Sequence, residues 1–93
     1  MKEEIKKNVR MRVWGSVQGV YFRAAMQEAS QDLHIFGWIK NNSDGTVEIE
    51  AEGEPGDVDK FVDRVREGSD MSVVKRIRQN EGTVKDYEIF QIK

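Results

Sequence analysis

Trp38-Ile39-Lys40-Asn41-Asn42-Ser43-Asp44-Gly45-Thr46-Val47-Glu48-Ile49-Glu50-Ala51-Glu52 places two strand-like runs on either side of a short polar turn. Asn42-Ser43-Asp44-Gly45 is turn chemistry, because Asp-Gly supplies the positive φ that tight hairpins require. Beyond it Val47, Ile49 and Ala51 face one way while Glu48, Glu50 and Glu52 face the other. That period of two belongs to a strand with one buried face. Before the turn, Trp38-Ile39-Lys40-Asn41 reads as its shorter partner. A hairpin in the middle of the chain restricts what can surround it.

Upstream, Val9, Met11 and Val13 alternate with Arg10, Arg12 and Trp14, a first strand. Gly15-Ser16-Val17-Gln18-Gly19-Val20 carries two glycines and reads as a loop. Phe22, Ala25, Met26, Ala29 and Leu33 follow at steps of three and four, which predicts an amphipathic helix that ends before Gly37. Downstream, Gly53-Glu54-Pro55-Gly56 stops the third strand, and Pro55 opens a second helix, where its missing N–H is no loss. Val58, Phe61, Val62 and Val65 mark the buried stripe of that helix, and Gly68 ends it. Residues 71–77 contain a weaker strand, followed by polar Gln79-Asn80-Glu81-Gly82, and residues 87–92 form a last strand. Residues 1–7 read as a frayed, charged arm.

The expected fold class is α+β: β-α-β-β-α-β plus a C-terminal strand, one mostly antiparallel sheet with both helices on one face. Right-handed crossovers set the first and second strands parallel with the third between them, the ferredoxin-like split β-α-β sandwich. The expected organisation is a single domain over residues 1–93.

Composition narrows the function. With 93 residues, 34% of them charged, and 15 Lys+Arg against 17 Asp+Glu, the net charge of −2 argues against a general nucleic-acid coat. Absence of Cys excludes disulfides, zinc-thiolate sites and thiol nucleophiles. No apolar run approaches the roughly 20 residues of a membrane helix, and Met1-Lys2-Glu3-Glu4 does not open like a signal peptide. A cytoplasmic, monomeric protein is the expectation.

The topology brings two loops together. Parallel first and second strands end at the same edge of the sheet, so the glycine loop lies beside Asn41, about 10 Å away across one intervening strand. Convergent N–H groups of such a loop and the following helix N-terminus suit an anion. The same loop also reads as an ordinary strand-to-helix connector. Arg23, in the first helical turn, opposes the helix dipole by some tenths of a kcal/mol, which fits a guanidinium serving a bound anion as well as a plain surface cation. Asn41 reads equally as a turn residue.

Gly15-Ser16-Val17-Gln18-Gly19-Val20-Tyr21-Phe22-Arg23 resembles the first signature of the acylphosphatase family, Gly-x-Val-Gln-Gly-Val-x-Phe-Arg. Gly37-Trp38-Ile39-Lys40-Asn41-Asn42-Ser43-Asp44-Gly45-Thr46-Val47 is similar to the second, Gly-x-Val-x-Asn-x-x-Asp-Gly-x-Val, with Ile39 for Val. Many members carry Gly-Pro-Pro after the second helix, where Gly68-Ser69-Asp70 stands here, a departure that bears on the shape of that loop. The resemblance implies hydrolysis of the carboxyl–phosphate bond of small-molecule acyl phosphates, a hydrolase acting on acid anhydrides that needs no metal or cofactor. It assigns phosphate binding to Arg23 and to the backbone amides of Ser16, Val17, Gln18, Gly19 and Val20. It assigns orientation of the attacking water to Asn41, and implies inorganic phosphate or sulfate as product-like ligands.

The inventory is compatible with such a reaction. The leaving carboxylate has a pKa near 4, so no general acid is required. His34 reads as a surface or cap residue. The competing reading is an RNA-binding module of the same element order, which carries aromatics on the exposed sheet face. Here Glu48, Glu50 and Glu52 make that face acidic in prospect, which would repel phosphate backbones. Arg10 and Arg12 are expected to pair across to that row. Lys75, Arg76 and Arg78 sit where charge protects an edge strand, and Trp14 and Trp38 are expected to pack rather than stack a substrate.

Overall fold

A computed structural model describes residues 5–93. Its elements are β1 (Lys7–Ser16), α1 (Phe22–Leu33), β2 (Phe36–Asn41), β3 (Val47–Gly53), α2 (Pro55–Glu67), β4 (Val73–Gly82) and β5 (Phe90–Ile92). They form one sheet in the order β4-β1-β3-β2-β5. β3 pairs antiparallel with both β1 and β2, so those two run parallel with β3 between them, as expected. The C-terminal strand, whose place the sequence left open, joins the outer edge of β2 in parallel.

Alternation decides which face is buried. Val9, Met11, Val13, Ile39, Val47, Ile49 and Ala51 pack against Phe22, Met26 and Ala29 of α1 and Val58, Phe61, Val62 and Val65 of α2. Both helices therefore cover one face, and that layer is the core. Phe90 fastens β5 to it through an edge-on contact with Phe61, ring centres 5.7 Å apart. α1 ends on His34 in the left-handed region, its N–H bonded to Ser30 O, so this histidine is a cap, in keeping with one of its two readings.

Several boundaries differ from the sequence reading. Met1, Lys2, Glu3 and Glu4 of the expected arm lie outside the described residues, but Lys7 already belongs to β1 opposite Gly53. β1 runs on through Gly15 and Ser16, with an irregularity after Trp14 where it pairs with β4. β4 continues through the polar residues 79–82, and β5 begins only at Phe90. An edge strand is held by main-chain bonds and has little side-chain burial, so polarity does not end it. No helix among the described residues is long and apolar enough to cross a membrane.

Candidate active site

β1 delivers the chain to a loop that turns left-handed twice before α1, at Gly19 (φ 71°) and Tyr21 (φ 63°). A Cβ at Gly19 would meet nothing within 4 Å, so glycine serves backbone conformation there and not space. Tyr21 adopts the same region despite its bulk, at a cost of about 1 kcal/mol. Gly15 is required for another reason: a Cβ there would come within 2.0 Å of the Val73 carbonyl.

The helix that follows is uncapped. Tyr21 makes no side-chain cap bond, no acid lies in the first turn, and the N–H of Ala25 bonds to Tyr21 O at 3.0 Å. No backbone acceptor among the described residues takes the N–H of Val17, Gln18, Gly19 or Val20. A helix N-terminus with free donors and no counter-charge is electrostatically incomplete, and an anion completes it.

Arg23 is half-buried at the second position of α1 and, with Val17, Gly19, Tyr21 and Ile92, lines a cavity of about 180 Å³. Its Nη1 donates to the carbonyl of Lys93 at 3.0 Å. Lys93 in turn donates its N–H to Ile39 O at 2.8 Å. The guanidinium is thus linked through Lys93 to Ile39, two residues before Asn41 on β2.

Asn41 closes β2 opposite Val47 and lies on the same face as Ile39, the helix side of the sheet. Its Oδ1 is buried and has no hydrogen-bond partner among the described residues. Such an atom costs stability unless something else meets it. The turn after it is tightly specified. Asp44 Oδ1 accepts from Thr46 N at 3.0 Å and Thr46 Oγ1 at 2.6 Å, and Asn42 Nδ2 donates to Thr46 Oγ1 at 3.0 Å. Those Thr46 donors, the hydroxyl foremost, hold the Asp44 carboxyl below its ordinary pKa, with Arg12 adding a smaller pull.

Gln18 joins the two loops. Its Nε2 donates to Asn42 O at 2.8 Å and Thr46 O at 2.9 Å, one side chain bridging both stems of the hairpin that carries Asn41. The sequence reading used Gln18 for its amide alone and missed this. It also missed the Lys93 carbonyl and a bond from Ser69 Oγ to Val20 O at 2.8 Å. No local periodicity signals contacts 70 and 49 residues apart. Residues 16–20, Arg23 and Asn41, on which the expected roles rest, thus lie toward one end of the sheet.

The opposite sheet face is not acidic, contrary to expectation. Residues 83–89 cross it, and Glu50 and Glu52 lie beneath them, 2% and 1% exposed. Glu50 accepts from Asn8, Trp38, Tyr87 and Lys85, and Glu52 from Asn8 and the N–H groups of Lys85 and Tyr87. Burial pushes the Glu50 carboxyl up, but the bonds from Lys85, Asn8 and Tyr87 outweigh it and hold it down at about 2. Only one of the expected arginine pairs forms on that row, Arg10 with Glu48 at 3.5 Å. Arg12 and Arg76 instead lie over Trp14, and Arg10, Lys40 and Lys93 over Trp38, so both tryptophans are engaged within the chain. Glu50 and Glu52 are therefore too buried to repel a phosphate backbone as expected, whereas Trp14 and Trp38 do pack within the chain.

Loop amides without a backbone acceptor, ahead of a helix with no acid in its first turn, give this small α+β domain an end suited to an anion. The family model described as Acylphosphatase matches residues 9–92. An acylphosphatase of Gloeobacter violaceus is 47% identical over 72 residues, 75% of this chain and 77% of that relative. The structure of an acylphosphatase from Coxiella burnetii superposes with a TM-score of 0.93 at 30% identity, covering 100% of both chains. That of Bacillus subtilis acylphosphatase gives 0.91 at 38% identity, over 94% of this chain and 98% of the other. The chain belongs to the acylphosphatase family, and its reaction is the hydrolysis of acyl phosphates.

Proposed function

We propose that hydrolysis proceeds by in-line attack of a water positioned by Asn41 on a phosphoryl group held by Arg23 and the backbone N–H groups of Ser16, Val17, Gln18, Gly19 and Val20. The water oxygen forms the new P–O bond as the bond to the acyl oxygen breaks. The departing carboxylate keeps the electron pair of the broken bond, and the water proton passes to a non-bridging phosphoryl oxygen. The products are a carboxylate and inorganic phosphate.

The carrying observation is the buried, unpartnered Asn41 Oδ1 at the end of the strand that Arg23 reaches through Lys93. A carboxamide does not titrate at neutral pH, so Asn41 accepts a hydrogen bond from the water and aims it without acting as a base. Arg23 supplies a planar fork matched to two phosphoryl oxygens, and the amides share the remaining charge. With a carboxylate leaving group, positioning and charge dispersal are the whole task. Inorganic phosphate and its isostere sulfate would occupy the same donors. The reading is of a cytoplasmic monomer, whose edge strand β4 carries Lys75, Arg76, Arg78 and Glu81, charges that discourage pairing with another chain.

The test is benzoyl phosphate hydrolysis in EDTA by the parent protein and by Asn41→Ala. The parent is expected to turn over, and the variant to lose roughly 10²-fold in kcat while phosphate still inhibits it normally. Equal loss of rate and phosphate affinity would make Asn41 a ligand or a structural residue instead.

A further inference from the structure

The loop of residues 16–20 is supported from behind by the connection between α2 and β4. At its start, Ser16 pairs with Val73. At its end, Ser69 Oγ donates to Val20 O at 2.8 Å. The turn supplying that hydroxyl is itself fixed: Ser69 N donates to Ser72 Oγ at 2.7 Å, and Ser72 N and Oγ both return bonds to Ser69 O at 3.1 Å. Neither Val20 nor Ser69 lines the cavity at Arg23, whereas Gly19, Tyr21 and Phe22 do.

A trans peptide is planar, and its C=O and N–H point in opposite directions. Fastening the Val20 carbonyl toward Ser69 therefore turns the N–H of Tyr21 away from the α2–β4 connection. Tyr21 holds a left-handed conformation that its side chain does not favour, and such a conformation persists where surroundings over-determine it. The Ser69 hydroxyl is the side-chain group that grips the peptide unit entering it.

We propose that Ser69 is a positioning residue: by holding the Val20 carbonyl it fixes the Val20–Tyr21 peptide so that the N–H of Tyr21 joins the phosphoryl-binding donors. The inference rests on the phosphate cradle proposed above and adds to it a donor and a residue that orients it. Ser69 touches no substrate and acts only through the loop.

Ser69→Ala removes the hydroxyl and little else, and Ser69→Thr retains it. For the alanine variant, KM for benzoyl phosphate and the inhibition constant of inorganic phosphate are expected to rise roughly fivefold, the effect of one misaligned hydrogen bond. The melting temperature should move by no more than a few degrees, and threonine should restore both constants to within twofold. In the parent, titration with inorganic phosphate should shift the Tyr21 amide resonance in ¹⁵N–¹H spectra, and the alanine variant should lose that shift. Unchanged constants in Ser69→Ala, a threonine variant impaired like alanine, or a Tyr21 resonance that ignores phosphate in the parent would each overturn the proposal. Failure of the cradle itself reads differently: the parent would show no phosphate inhibition at all.

Discussion

Two groups of polar atoms lie in different parts of one sheet, and they are satisfied to very different degrees. Under residues 83–89, the carboxylates of Glu50 and Glu52 receive donors from Asn8, Trp38, Lys85 and Tyr87. On the helix side, Asn41 Oδ1 and a run of loop amides meet nothing among the described residues. Asn41 Oδ1 is buried like the two carboxylates; the difference lies in partners. A buried charge ringed by donors works as a clasp, here fastening a long connection across the sheet. Groups left open at a helix N-terminus are, in the mechanism proposed above, met by the phosphoryl group of the substrate. Asn8 Oδ1 is the exception on the satisfied side: it is also unpartnered, and a Cβ at Gly82 would come within 2.3 Å of it.

The contrast can be broken most forcefully at Arg23. Arg23→Lys keeps the charge but loses the fork, and kcat/KM for benzoyl phosphate should fall by about 10²-fold or more, with the melting temperature nearly unchanged. Near-normal turnover would refute the bidentate argument. On the other face the effect should appear in stability and not in rate. The Glu50 carboxyl sits at about 2 in the folded chain against an ordinary 4.5. Its contribution is therefore complete above about 4.5 and is lost as pH falls toward about 2. Glu50→Gln should cost roughly 1–3 kcal/mol at neutral pH and flatten the acid limb of a melting-temperature profile between those values. Identical acid limbs in parent and variant would remove Glu50 from the clasp. The smallest effect belongs to Arg10, half-exposed and paired with Glu48 at 3.5 Å beside Trp38. Arg10→Ala should cost only about 0.5 kcal/mol in a urea titration.

That the motifs carrying Arg23 and Asn41 lie toward one end of the sheet was legible in the sequence, because the order of elements sets β1 and β2 parallel. Gln18 was half legible: its position was clear, but the reach of its side chain to Asn42 and Thr46 was not. The outer face was misread for a physical reason. Alternation in β3 correctly turned Glu48, Glu50 and Glu52 away from the core, yet a face turned from the core is not thereby exposed. A covering segment from elsewhere in the chain buried two of the three.

Element order, the helix-bearing face and the parallel relation of β1 to β2 follow from the amino-acid order alone, since one-sided burial writes itself into spacing every two or 3.6 residues. The length of β4, the parallel docking of β5, the crossing of residues 83–89 and the grip of Ser69 on Val20 were settled only in three dimensions. Edge pairing uses main-chain groups that every residue carries, and hydrogen bonds between distant residues leave no periodic trace, so neither could be read along the chain.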